Sequence, residues 1–255
     1  MRVLAIIPAR YASTRFPGKP LAELGGKSII ERVYRAVNSV IEEVVVATDD
    51  CRIANAVELF GGKAMMTSDR HRCGTERCAE VAERVGSEYD IILNIQGDEP
   101  FICKEQIEAL VSQFENKDID IATLAMPYTQ EATYGDISNT NEVKVTIAKS
   151  GRALYFSRAV IPHLRDIDPN DWTKHHTFFR HIGVYGFRRG VLKHICQLNS
   201  STLESGEKLE QLRWLEHGYS IGVGITTKAS IGIDTPEDLE RAEIYLATLT
   251  KGSQW

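Results

Sequence analysis

The first hundred residues alternate short, uninterrupted apolar runs with longer amphipathic segments, and few folds accommodate that rhythm. Val3–Ile7, Val44–Ala47 and Ile91–Ile95 are apolar at almost every successive position rather than at alternate ones. A strand reads this way when both of its faces are covered. Between the runs lie segments of helical character. One opens on Ser28-Ile-Ile-Glu31, which reads as a capping box, and continues to about Val40. Others are Arg52–Phe60, stopped by Gly61-Gly62, then Thr75–Val85 and Lys104–Glu115, with a short strand at Ala64–Met66. Strands alternating with helices predict an α/β fold: a mostly parallel central sheet with helices on both faces.

The second half loses the alternation. Ile119–Met126 and Val143–Ala148 read as strands, with polar Thr129–Asn141 as a loop between them. Ala153–Phe156 and Ile182–Phe187 read as antiparallel strands flanking an insertion, in which His163–Phe179 has no clean period. Residues 150–187 are therefore expected to be an antiparallel elaboration at the sheet edge. Helices follow at about Val191–Gln197 and Glu207–His217, then a strand at Ile221–Thr226. The last helix is expected over Pro236–Leu249, with Thr235 as N-cap, and Lys251–Trp255 as a frayed tail. The length of 255 residues suits one α/β domain, 1–255, carrying the elaboration as an appendage.

Charge narrows the function. Thirty Lys and Arg against thirty-five Asp and Glu give a net charge of −5. That argues against a general nucleic-acid partner or a membrane-surface binder, so any anion site must be a local cluster of cations. The five cysteines are odd in number and contain no C-x-x-C pair, which favours reduced thiols in a reducing cytosol over a disulfide framework or zinc knuckle. The apolar start is too short for a signal sequence, and no apolar window of about 18 residues predicts membrane insertion. A cytoplasmic protein is expected.

Such a cation cluster stands directly after the first strand. Arg10, Ser13, Thr14, Arg15 and Lys19 place three cations and two hydroxyls within ten residues, with a turn at Pro17-Gly18. Ligands of open α/β sheets bind at the carboxyl ends of the strands, and this composition suits a triphosphate. The alternative is a solvated basic loop. Gly26-Lys27-Ser28 is not a Walker A loop, because Leu21 stands where that motif needs glycine. No G-x-G-x-x-G follows the first strand either, which argues against a dinucleotide cofactor. Asp98, in Gln96-Gly97-Asp98-Glu99-Pro100, falls at the end of another strand and is a candidate Mg²⁺ ligand beside a phosphate site. A turn or cap residue is the other reading. Asp234, in Gly232-Ile-Asp-Thr-Pro-Glu-Asp238, is a second candidate or a helix cap. Gly74 and Thr75 at a helix start could face a base, and Arg77 a phosphate, or the segment is an ordinary helix opening. No cysteine, serine or histidine stands in a nucleophile motif.

These segments together resemble nucleotide-sugar synthetases. More narrowly they are similar to the 3-deoxy-D-manno-octulosonate (Kdo) cytidylyltransferase, or CMP-Kdo synthetase, family. The likeness continues through Ala153-Leu-Tyr-Phe-Ser-Arg158-Ala, Arg180-His181-Ile-Gly-Val-Tyr185-Gly-Phe-Arg188, Leu209-Glu210-Gln211-Leu-Arg213 and Asp234–Leu239. It covers residues 4 to about 240. The resemblance implies a Rossmann-like nucleotidyltransferase fold, a homodimer, and Mg²⁺-dependent transfer of CMP from CTP to Kdo for lipopolysaccharide biosynthesis. It implies that Arg10, Arg15 and Lys19 bind the triphosphate, that Thr75, Arg77 and Gln96 surround the nucleotide, and that Asp98 and Asp234 hold magnesium. It also implies a sugar-acid pocket of Arg158, His181, Tyr185, Glu210 and Gln211, with Gln96 near it, and a dimer and sugar-binding role for residues 150–190. Two departures stand out: Cys73 where Ser is usual, and Asn139-Thr-Asn-Glu142 where an Asn-Pro-Asn-Ala type segment is usual. A cytidylyltransferase for sialic acid or 8-amino-Kdo, or a non-catalytic nucleotide-binding homologue, are the alternatives.

Overall fold

The opening apolar run forms β1 (Val3–Ala9). Leu4, Ala5, Ile6 and Ile7 are each at most 1% exposed, so both faces of the strand are covered. Each such isoleucine contributes about 1.5–3 kcal/mol by leaving water. In the computed structural model, which describes residues 1–229 and 231–252, β1 belongs to the first of two units. That unit comprises residues 1–107 and the segment from Ala229 onward; the second is Glu108–Lys228.

After β1 the first unit has a hairpin that was not expected, β2 (Glu23–Leu24) and β3 (Lys27–Ser28). Gly25 and Gly26 both have positive φ, 54° and 76°, as the two central residues of a type I′ turn require. Two-residue strands show no period in sequence. Helix α1 (Ile29–Asn38) follows, and Ser28 Oγ accepts the Glu31 N–H at 3.3 Å. The expected reciprocal bond is replaced: the Glu31 carboxylate accepts from Arg35 Nε at 2.7 Å. Then come β4 (Glu43–Thr48), α2 (Cys51–Leu59), β5 (Ala64–Met66), α3 (Gly74–Arg84) and β6 (Ile91–Asn94). The strand order is β6-β1-β4-β5, all parallel. Right-handed crossovers place α1 and α2 on one face and α3 on the other. The order reverses between β1 and β6, which opens a crevice at their carboxyl ends.

The last helix, Pro236–Gly252, also belongs to this unit. Thr235 Oγ1 accepts the Asp238 N–H while the Asp238 carboxylate accepts the Thr235 N–H, so the predicted cap is present. Ala242 and Ile233 pack with Leu24 and Ile29 of the hairpin region. The expected frayed tail begins inside this helix, and its residues 253–255 lie outside the described residues.

In sequence, α4 (Lys104–Ser112) and a 3-10 turn at Gln113–Glu115 lead into β7 (Ile121–Pro127). The segment expected as a loop holds α5 (Tyr134–Ser138), closed by a capping box between Thr133 and Asp136. Five residues are too few to display a helical period. Next are β8 (Lys144–Ile147), β9 (Ala153–Ser157), α6 (Trp172–His175), β10 (Phe179–Arg188) and α7 (Arg189–Ile195). The helix expected over Glu207–His217 is α9 (Glu210–Glu216), and an unexpected α8 (Thr202–Glu207) precedes it, separated by Lys208, which turns left-handed at φ 56°. Strand β11 (Ile221–Ile225) pairs in parallel with β7. The remaining pairs, β7 with β10, β10 with β8 and β8 with β9, are antiparallel. Thus β10 runs between β7 and β8 as an interior strand, so of the edge elaboration expected over 150–187 only β9 lies at an outer position. In the insertion, Trp172 is buried against Ile137 and Phe178.

One position at the crevice tolerates no side chain. A Cβ on Gly97 would stand 2.9 Å from the Pro8 carbonyl oxygen, a backbone atom that cannot step aside. Gly97→Ala should destabilise the protein by about 1–3 kcal/mol. A urea midpoint that falls at unchanged slope is the expected observation; an unmoved midpoint would refute the close approach.

Candidate active site

Strand β1 delivers the loop Pro8–Lys19 to the crevice, and the loop is tied to itself. The Tyr11 carbonyl accepts the Ser13 and Gly18 N–H groups at 3.0 and 2.9 Å. Ser13 Oγ accepts the Phe16 N–H at 3.4 Å. The Arg52 guanidinium covers the Tyr11 ring at 3.3 Å from its centroid and is itself held by Asp50. A short 3-10 turn then begins at Lys19.

A cavity of about 290 Å³ opens here, entirely within the first unit. Arg10, Ser13, Arg15 and Lys19 line it from the first loop, Gly74 and Arg77 from the start of α3, Gln96 and Asp98 from beyond β6, and Asp234 from before the last helix. The residues expected to meet nucleotide and metal are therefore together, except that Thr75 is buried in the first turn of α3 and does not line the cavity. Arg77 is also buried. Its guanidinium pairs with Asp49 at 2.8 Å and donates to Thr67 Oγ1. Asp49 had no signal in sequence beyond its place after a strand. His71 also lines the cavity, with Nε2 2.6 Å from Glu80 Oε2. Arg10 makes no ion pair among the described residues, so its guanidinium remains available to an anion.

The centre of the cavity is an ion cluster. Lys19 Nζ lies 2.6 Å from Asp98 Oδ2 and 2.9 Å from Asp234 Oδ1, and Arg15 lies 3.1 Å from the other Asp234 oxygen. Burial alone would lower the Lys19 pKa, but the charges and hydrogen bonds of Asp98 and Asp234 outweigh it and the pKa is raised. The Ile233 N–H donates to the Asp98 carbonyl at 2.9 Å, which brings Asp234 alongside. Two carboxylates that converge on one cation are hard oxygen donors suited to Mg²⁺, which takes one or two carboxylates and completes its shell with phosphate and water. Among the described residues no group of three or more His, Cys, Asp or Glu side chains forms an all-protein metal cage.

The residues expected around the sugar, apart from Gln96, belong to the second unit. Arg158 Nε donates to the Glu207 carbonyl at 2.8 Å and Nη1 to the Thr140 carbonyl at 2.9 Å. The His181 ring packs against Phe156 and Tyr185, with centroids 5.0 and 5.5 Å away, and its Nε2 is 2.9 Å from Thr123 Oγ1. Burial pushes its pKa down to about 3, so the imidazole is neutral. Tyr185 stacks edge-on against Trp214, and burial together with Glu210 raises its phenol pKa. Glu210 pairs with Arg213 at 2.8 Å, and Gln211 beside it is buried. The structure brings His181 and Tyr185 into contact.

The cytidylyltransferase family profile matches residues 4–222. The 3-deoxy-manno-octulosonate cytidylyltransferase of Parabacteroides distasonis is 53% identical over 97% of this chain and 99% of its own length. The chain belongs to this family. The protein of that name from Thermodesulfovibrio yellowstonii is 48% identical over 97% of this chain and 99% of its own. Among solved structures, CMP:2-keto-3-deoxy-manno-octonic acid synthetase complexed with CTP superposes with a TM-score of 0.89 at 38% identity, covering 97% of this chain and 99% of that one. A 4-diphosphocytidyl-2C-methyl-D-erythritol synthase from Anaerococcus prevotii shares the fold at TM-score 0.61 and 16% identity, covering 96% and 98%.

Within this cytidylyltransferase, the first departure from the family pattern has a local consequence. Cys73 is the N-cap of α3 and makes no side-chain cap hydrogen bond, whereas a serine hydroxyl is a strong cap. The second departure, Asn139–Glu142, meets the Arg158 guanidinium through the Thr140 carbonyl.

The depressed His181 pKa predicts a pH dependence. An unfolded imidazole takes a proton below about pH 6.5, while the folded one resists until about pH 3, so acid favours the unfolded chain. This part of the stability is lost as pH falls from 6.5 toward 3. His181→Gln should flatten the fall in unfolding free energy between pH 6.5 and 4.5 by up to about 1 kcal/mol per pH unit. Identical slopes for the two proteins would refute a neutral His181.

Proposed function

We propose that the protein transfers CMP from CTP to the anomeric hydroxyl of Kdo, releasing CMP-Kdo and pyrophosphate. The observation that carries this reading is likeness, over nearly the full chain, to enzymes of that name, one solved with CTP. The cation-lined cavity on an acidic chain supports it. In this reading Arg10, Ser13, Arg15 and Lys19 cradle the triphosphate, while Gly74, Arg77 and Gln96 surround the nucleoside and Thr75 supports them from inside α3. Arg158 takes the sugar carboxylate, with His181, Tyr185, Glu210 and Gln211 around the sugar.

The step is a single displacement. The sugar hydroxyl oxygen bonds to the α-phosphorus and releases its proton to water, while the bond from the α-phosphorus to the α–β bridging oxygen breaks and pyrophosphate leaves with that electron pair. The protein's contribution is alignment and charge neutralisation. Arg15 and Lys19 offset the charge that grows on the leaving group. Asp98 and Asp234 would hold Mg²⁺, which when bound neutralises phosphate charge and acidifies a hydroxyl.

Two measurements test the assignment. Pyrophosphate release with CTP and Kdo, 8-amino-Kdo or sialic acid in turn should favour Kdo by about tenfold or more. A preference for another acid, or no release with any, would overturn it. Asp98→Asn and Asp234→Asn should each lower kcat by about 10²-fold, roughly 3 kcal/mol, with metal-free CTP binding little changed. Near-normal turnover would sink the metal-ligand role.

The same reading includes a cytoplasmic homodimer built on residues of about 150–190. Supporting it, β9 is an outer strand and its Leu154 is 63% exposed. Unpartnered strand edges with apolar side chains favour pairing. No helix among the described residues is long and apolar enough to cross a membrane. Light scattering should give twice the 28.5 kDa chain mass. A monomer at micromolar concentration would refute the dimer.

A further inference from the structure

Strand β8 begins with a lysine that is 0% exposed, Lys144. A buried ammonium is strongly disfavoured unless it is hydrogen-bonded, and burial lowers its pKa. It forms no ion pair among the described residues. Nζ donates to the carbonyl oxygens of Asn139 at 2.8 Å and Glu142 at 2.5 Å. Between those two residues lies Thr140, whose own carbonyl accepts from Arg158 Nη1 at 2.9 Å.

The 139–142 turn is held from its other end as well. The Glu142 carboxylate accepts from Arg180 at 2.8 Å and from the Tyr128 hydroxyl at 2.6 Å. In the sheet register Lys144 stands opposite Ser157 on β9 and opposite Arg180 on β10. Ser157 Oγ and the Arg158 N–H in turn donate to the two Glu207 carboxylate oxygens at 2.6 and 2.9 Å. Two backbone carbonyls therefore aim the Arg158 guanidinium, and one of them rides on a turn suspended from the Lys144 ammonium. The cluster holds Lys144, Arg158 and Arg180 against Glu142 and Glu207. It is left with one positive charge, which the carboxylate of a sugar acid would balance.

We propose that Lys144 is a positioning residue for the sugar acid. It fixes the 139–142 turn, and the turn fixes Arg158, the group that meets the anionic substrate. This rests on the reading of Arg158 as the partner of the sugar carboxylate, and the experiment separates the two. Steady-state KM values for Kdo and for CTP are measured in Lys144→Met, Lys144→Gln, Arg158→Ala and the double variant Arg158→Ala/Lys144→Met. The Gln variant retains an N–H donor for the turn carbonyls without the charge, so it reports even where the Met variant fails to fold. Lys144→Met should raise the Kdo KM about tenfold and Lys144→Gln, which keeps a donor, about threefold, with the CTP KM within about twofold in both. Because Lys144 acts through Arg158, the double variant should be no worse than Arg158→Ala to within about threefold. An unchanged Kdo KM in the Lys144 variants, beside a raised one in Arg158→Ala, overturns the role of Lys144 alone. Losses that multiply in the double variant, or that fall equally on CTP and Kdo, overturn positioning through Arg158. An Arg158→Ala variant with normal Kdo KM removes the carboxylate reading and this proposal with it.

Discussion

Val3–Ile6 pairs in parallel with Ile91–Asn94, and that ladder decides where the cation-rich first loop and the Asp98 loop go. Both strands run the same way, so both release their loops at one end of the sheet. Gly97 then lies against the Pro8 carbonyl, at a distance only a residue without Cβ permits. From there the Asp98 carbonyl holds the Ile233 N–H, and Asp234 follows. Loops far apart in sequence thus surround one cavity, and α3 directs its first turn at it.

Two of the charged clusters, one in each unit, follow different electrostatic logic. In the first, cations and carboxylates meet directly: Lys19 with Asp98 and Asp234, and Arg77 with Asp49. An ion cluster of this kind can exchange partners when a polyanion and a divalent cation arrive, because each charge keeps a partner in either arrangement. In the second, Lys144 and the side chain of Arg158 are satisfied by backbone carbonyls, which carry no net charge. Carbonyls orient a cation without neutralising it, and that leaves attraction over for an acidic substrate.

Much of the fold was legible in the sequence because its signals are local. Unbroken apolar runs marked β1, β4 and β6, and Ser28 and Thr235 marked helix starts that proved to be capped. The elements that escaped were too short to carry a period. The β2–β3 hairpin has two-residue strands, and α5 has five residues, although Gly25-Gly26 and the Thr133–Asp136 box were visible as turn and cap chemistry. The break between α8 and α9 depends on one left-handed lysine, a conformation no composition rule assigns to Lys208.

The sequence by itself determined the parallel α/β half, the family, and the presence of a cation-rich loop after a buried strand. These follow from neighbours along the chain and from motifs that persist over its length. Only the tertiary structure decided which charges meet. Lys19 finds its partners 79 and 215 positions away, Arg77 turns to Asp49, and Thr75 is packed inside α3 rather than on the cavity wall. Nor did Lys144 announce that it would be wholly buried, since its place in a strand fits an exposed or an inward side chain equally. Local pattern is set by sequence spacing of a few residues. The pairing of ions, and the dryness that makes it matter, is set by distances that exist only after the sheets have assembled.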